Sequence, residues 1–66
     1  MKKIKLNKYS DLEKLKELNE NEFIVSLEEC ENKQRIRIMD FISGIAFLNG
    51  SIKKLNKDEF QIKIGG

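Results

Sequence analysis

Arg37-Ile38-Met39-Asp40-Phe41-Ile42-Ser43-Gly44, continued by Ile45-Ala46-Phe47-Leu48 and closed by Asn49-Gly50, decides how this 66-residue chain is read. The spacing predicts a helix from about Asn32 to Leu48, with Asn49-Gly50 as its C-terminal stop. On a helical projection Ile38, Phe41, Ile42, Ile45 and Leu48 share one face, the one expected to pack on a sheet. Ile36, Met39, Gly44 and Phe47 fall elsewhere, so the helix is apolar on more than one side. A helix apolar nearly all round is usually buried nearly all round, and a chain of this length cannot bury one alone. Gly44 sharpens the point, because a glycine inside a helix costs about 1 kcal/mol relative to alanine. Ser43, Gly44 and Ala46 form a low patch where another backbone can approach. The alternative is a helix break at Gly44, with Ile45 to Leu48 opening a separate element.

Outward from this helix the chain alternates strand and helix signals. Lys3-Ile4-Lys5-Leu6 has period 2 and reads as a short strand with Ile4 and Leu6 inward. Ser10-Asp11-Leu12-Glu13 matches a capping box, and Leu12, Leu15 and Leu18 give a first helix its apolar stripe. Asn19 and Asn21 are the expected terminators, since asparagine tolerates the left-handed C-cap conformation. Phe23-Ile24-Val25-Ser26-Leu27 reads as a strand buried on both faces. Beyond the second helix, Ser51 to Leu55 is a third strand, Asn56-Lys57-Asp58 a turn, and Glu59 to Ile64 a fourth strand with Phe60, Ile62 and Ile64 on one face. The fold class is therefore α/β, in the order β-α-β-α-β-β. A mixed sheet with both helices on one face gives a two-layer sandwich. The two crossovers predict parallel, right-handed connections, and the last two strands an antiparallel hairpin. The other sheet face is left for a second copy or a partner to cover. With no proline, repeat or low-complexity run, residues 1–66 read as one domain.

Composition narrows the function. There are 13 basic and 11 acidic residues, a net charge of +2, and the basic groups are scattered, which argues against nucleic acid. No apolar segment approaches the ~20 residues of a membrane span, so the expected location is the cytoplasm. Histidine is absent and Cys30 is the sole cysteine. That excludes an intrachain disulfide, argues against a zinc site, and removes the side chain most used in general acid-base catalysis. Cys30 sits among Glu28, Glu29 and Glu31, surroundings that raise a thiol pKa rather than activate it. The expectation is a protein that is not an enzyme and holds no cofactor or metal.

Arg37-Ile38-Met39-Asp40-Phe41-Ile42-Ser43-Gly44, with Phe47, Gly50, Ile52, Lys54-Leu55 and Phe60, resembles the core domain of the SepF family of cell-division proteins. Phe23 to Leu27 supplies that family's preceding strand, at matching distance from Ile38. The resemblance implies a module that acts at the division site, forms a homodimer or polymer, and binds the C-terminal tail of FtsZ. It assigns self-association to Gly44, Phe47, Asp40 and Phe41, and tail binding to Lys54 and Phe60 with their neighbours Ile52 and Lys53. Phe60 would be the apolar anchor and Lys53 and Lys54 the charge partners of an acidic-apolar peptide; a plain core aromatic is the other reading of Phe60. Three features depart from the family pattern. Ser26 replaces the strand-ending Asn/Asp. The turn after the helix reads Gly50-Ser51, one residue short. The first strand begins almost at once, whereas family members usually open with an amphipathic membrane-binding helix and a linker, so membrane contact is not expected of this sequence. A rival reading comes from Gly65-Gly66, which is similar to the activated end of ubiquitin-like sulfur carriers; those proteins, however, open with a β-hairpin.

Overall fold

The computed structural model describes residues 1–65. Their elements are β1 (Lys3–Lys5), a 3-10 helix (Tyr9–Glu17), β2 (Glu22–Ser26), helix α1 (Asn32–Asn49), β3 (Gly50–Lys54) and β4 (Glu59–Ile64). The strands form one mixed sheet in the order β1-β2-β4-β3. β1 and β2 are parallel, and β4 is antiparallel to both β2 and β3. The α/β two-layer arrangement expected from the sequence is what forms.

Strand order carries one correction. β2 and β3 do not pair, because β4 lies between them. The sequence explains the choice. β4 alternates Phe60 and Ile62, both buried, with polar residues, and so suits the centre. β3 has no buried residue and takes an edge. The cross-strand register places Ile4, Phe23, Val25, Phe60 and Ile62 on one face, under the helices. With Leu6, Leu12, Leu27, Ile38 and Ile42 they make the core.

The opposite sheet face carries Lys3, Glu22, Ile24, Ser51, Lys53, Glu59, Gln61 and Lys63. Among the described residues no second layer covers it. β2 is therefore not fully buried on both faces, as its apolar run predicts: Phe23 and Val25 are buried, Glu22 and Ile24 half-buried. Part of the face's charge is paired within it. Lys3 pairs with Glu59, and the Gln61 amide donates to a Glu22 carboxylate oxygen at 2.8 Å. Lys5 meets Glu29 at 3.0 Å. A face so paired has little to gain from being covered by another apolar layer.

The first helix is 3-10 rather than α, and its leucines say why. Three residues per turn bring positions i and i+3 into line, so Tyr9, Leu12, Leu15 and Leu18 point the same way. Leu12 is buried, and the other three pack against the core partly buried. Its start is not the Ser10-Glu13 box. The Asp11 carboxylate accepts the backbone N–H of Asn7 at 2.9 Å and of Lys8 at 3.3 Å, and Lys8 in the cap position has no acceptor with which to close a reciprocal bond. At the other end Leu18 is extended, and no non-glycine residue among those described has a positive φ. Asn19 and Asn21 thus do not act as left-handed caps. The strand that follows pulls the chain straight out.

Helix α1 runs unbroken through Gly44, which removes the helix-break alternative. Its buried line is Ile38, Ile42 and Ala46, an i, i+4, i+8 row. This corrects the predicted face: Ile45 lies at its margin, while Phe41 and Leu48 are exposed. Small Ala46 lets the helix close on the sheet, and that rotates Leu48 outward. The exit from α1 is immediate, Asn49 ending the helix and Gly50 starting β3. Gly50 is extended, not left-handed. Glycine is required there by contact, because a Cβ would overlap the Lys63 carbonyl.

Candidate functional site

Two surfaces draw together the residues singled out in the sequence. The first is the outer side of α1. Residues at helical spacings from Ile36 to Leu48 that do not face the sheet must face water. Ile36 is 70% exposed, Leu48 76% and Phe47 88%. Asp40 is exposed beside them, and Gly44 sits in the middle. A Cβ built on Gly44 meets nothing within 4 Å. The helix therefore presents a notch flanked by Ile36 and Phe47 on one side and by Phe41 and Leu48 on the other. Such an exposed apolar strip is rare on a small monomer and marks a contact surface.

Next to this strip lies a groove of about 630 Å³ between the 3-10 helix and α1, walled by Leu12, Leu15, Leu18, Phe41, Ile45 and Ile64. Its upper edge is ordered by an aromatic pair. The Tyr9 and Phe41 rings meet edge to face at 6.3 Å, and the Tyr9 N–H donates to the Gln34 side-chain oxygen at 2.7 Å. Arg37 places its guanidinium 4.4 Å from the Tyr9 ring centroid, a cation-π contact. Arg37 and Asp40, three apart on α1, form no ion pair among the described residues. Sequence reasoning missed this groove. The signal was Tyr9, in line with Leu12, Leu15 and Leu18 at a spacing of three.

The second surface is the β3–β4 hairpin. Its turn is held firmly. The Asn56 side-chain oxygen accepts the N–H groups of Asp58 at 2.9 Å and Glu59 at 3.0 Å, and its amide donates to Glu59 at 2.7 Å. Arg35 of α1 reaches over, giving one N–H to Asp58 at 2.9 Å and another to the Lys57 carbonyl. Lys3 and Asn56 together hold the Glu59 carboxyl below its ordinary value, Lys3 contributing most. On this rigid hairpin Ile52, Lys53 and Lys54 are all exposed, Ile52 at 37%. Phe60 is not exposed with them. It is 7% accessible and belongs to the core, directly opposite Lys54 in the ladder. The plain core reading is where its ring lies.

Among the described residues the remaining chemical groups gather no metal-binding cluster. Burial is the main cause that pushes the Cys30 thiol up, with Glu31 adding and Arg35 opposing. Glu29 is engaged by Lys5. Of the terminal diglycine, Gly66 lies outside the described residues. The Gly65 N–H donates to the Asn49 carbonyl, extending the β3–β4 ladder. The chain opens with parallel β1 and β2 joined by a helix, not with the hairpin of a sulfur carrier. No helix among the described residues is long and apolar enough to cross a membrane.

A family model described as "Cell division protein SepF" matches residues 1–62. No curated protein and no solved structure matches the chain.

Proposed function

The chain belongs to the SepF family of cell-division proteins, and from that premise we propose that it is a non-catalytic division module that associates with copies of itself and binds the C-terminal tail of FtsZ at the division site. The observation that carries self-association is the large apolar surface left on α1: Ile36, Phe41, Phe47 and Leu48 are all exposed on one helix. A domain of about this size is marginal alone and gains from association.

In this reading copies meet through α1 at Gly44, Phe47, Asp40 and Phe41. Gly44 lets the helices approach closely, and Phe41 and Leu48, one turn before and one turn after it along the same flank, suit an antiparallel two-fold contact in which Phe41 of one copy meets Leu48 of the other. The groove beside Phe41 receives what projects from the copy. The FtsZ tail binds on the hairpin, with Lys53 and Lys54 facing its acids and Ile52 giving apolar contact. Phe60 acts from beneath, as the core residue that seats Lys54, so Phe60→Ala would unfold the hairpin before it reported on binding. The clean probes are the lysines. Calorimetric titration with an FtsZ C-terminal peptide should give saturable binding that Lys54→Glu weakens about tenfold or more. Binding unaffected by Lys54→Glu and Lys53→Glu would remove the hairpin from the site, and no binding to the wild-type chain would remove the function.

A further inference from the structure

The free edge of β3 has a backbone pattern that specifies more than a charged patch. β3 ends the sheet and all five of its residues are exposed. In an antiparallel ladder, residues alternately turn their N–H and C=O toward and away from the neighbour. The phase is fixed here by the Leu55 N–H donating to Glu59 and the Gly65 N–H donating to Asn49. With the register Ser51↔Lys63, Ile52↔Ile62, Lys53↔Gln61 and Lys54↔Phe60, Ser51, Lys53 and Leu55 bond to β4. Ile52 and Lys54 therefore turn both their N–H and C=O outward. The Gly50 N–H is taken by the Ala46 carbonyl, which leaves its carbonyl to continue the row.

Side chains on this edge select what can pair with it. Lys53 and Lys54 are adjacent, so they project to opposite faces of the sheet. Among the described residues neither takes part in an ion pair, whereas Lys3 and Lys5 on the other edge are paired to Glu59 and Glu29. Lysines on an exposed edge strand oppose edge-to-edge pairing of two such strands, which disfavours a second copy. A strand with consecutive acids would set one carboxylate beside each lysine. Ile52, two residues before Lys54 on the same face, adds an apolar neighbour.

We propose that β3 takes its partner by strand addition: an extended acidic peptide, with an apolar residue opposite Ile52 and acids opposite Lys53 and Lys54, joins the sheet as a fifth strand. This deepens the hairpin assignment proposed above and rests on it. It gives the tail a backbone conformation and names the atoms that hold it, the N–H and C=O of Ile52 and Lys54.

The test is residue-resolved amide hydrogen exchange on the full chain, with and without saturating FtsZ C-terminal peptide. Strand addition predicts at least tenfold slower exchange at Ile52 and Lys54, with a smaller change at Ser51 and Lys53, which already bond to β4. It also predicts that N-methylating the peptide at alternate residues lowers affinity at least tenfold in one phase and little in the other. A peptide that binds saturably while Ile52 and Lys54 exchange at the free rate would overturn strand addition and leave the proposed function standing. A peptide that does not bind at all would overturn both.

Discussion

Gly44 and Gly50 lie on one helix and its exit, yet glycine is present at each for a different reason. At Gly50 a side chain would strike the Lys63 carbonyl, so Gly50→Ala must push β3 off β4. It should cost about 2 kcal/mol or more in chemical denaturation. Gly44 has open space where its Cβ would be. Gly44→Ala should therefore raise the stability of the protomer by about 0.5–1 kcal/mol. If copies approach through that notch, the same change lowers self-association, and a stability gain with a weaker assembly is a signature that a purely local role does not produce. Glu59 supplies a pH handle. Its carboxyl is held below the ordinary 4.5 chiefly by Lys3 and then by Asn56. A lowered folded-state pKa gives stability that is fully present above the unfolded value and is lost as pH falls through the folded one. Urea midpoints should thus fall more steeply between about pH 5 and 3 in the wild type than in Glu59→Gln.

Elements were legible where a period was written into the residues. The alternation in Glu59–Ile64, the apolar run at Phe23–Val25 and the long pattern from Ile38 to Ala46 each located a strand or helix. What the pattern left open was pairing. Alternation tells a strand which face to bury but not which neighbour to take, and β4 lies between β2 and β3 because it buries Phe60 and Ile62 whereas β3 buries nothing and suits an edge. The 3-10 helix was half legible. Leucines three apart gave its face, and the same spacing carried its type. The cap was misread because Ser10 and Glu13 fit a motif, while Asp11, one residue along, had the shorter reach to the free N–H groups of Asn7 and Lys8. Leu12→Ala should cost about 2–3 kcal/mol, since Leu12 is the leucine of this helix that is buried. Leu15→Ala, on a partly buried side chain, should cost visibly less in the same denaturation series.

At the scale of the whole molecule, the chain divides into a polar sheet face, part of whose charge is paired within it, and a helix face that does not hide its apolar residues. The excess of apolar surface on α1 was legible from the sequence; its position was not. Phe41 and Leu48 were assigned to the core, and Ala46 took their place because a small residue lets α1 close on the sheet. Phe60, tied to binding by resemblance, lies inside as the alternation with Ile62 and Ile64 allowed, and the register sets it opposite both Val25 and Lys54. Phe47→Glu should leave the unfolding free energy within about 0.5 kcal/mol, because the ring is almost entirely in water, and should reduce sedimenting mass at micromolar concentration. The account rests above all on the hairpin as the partner site. The most direct measurement is a two-dimensional amide spectrum of the full chain titrated with an FtsZ C-terminal peptide. The account predicts saturable shifts concentrated at Ile52, Lys53, Lys54 and Leu55; shifts confined to the groove around Leu15, Phe41 and Ile45, or no shifts at all, would contradict it.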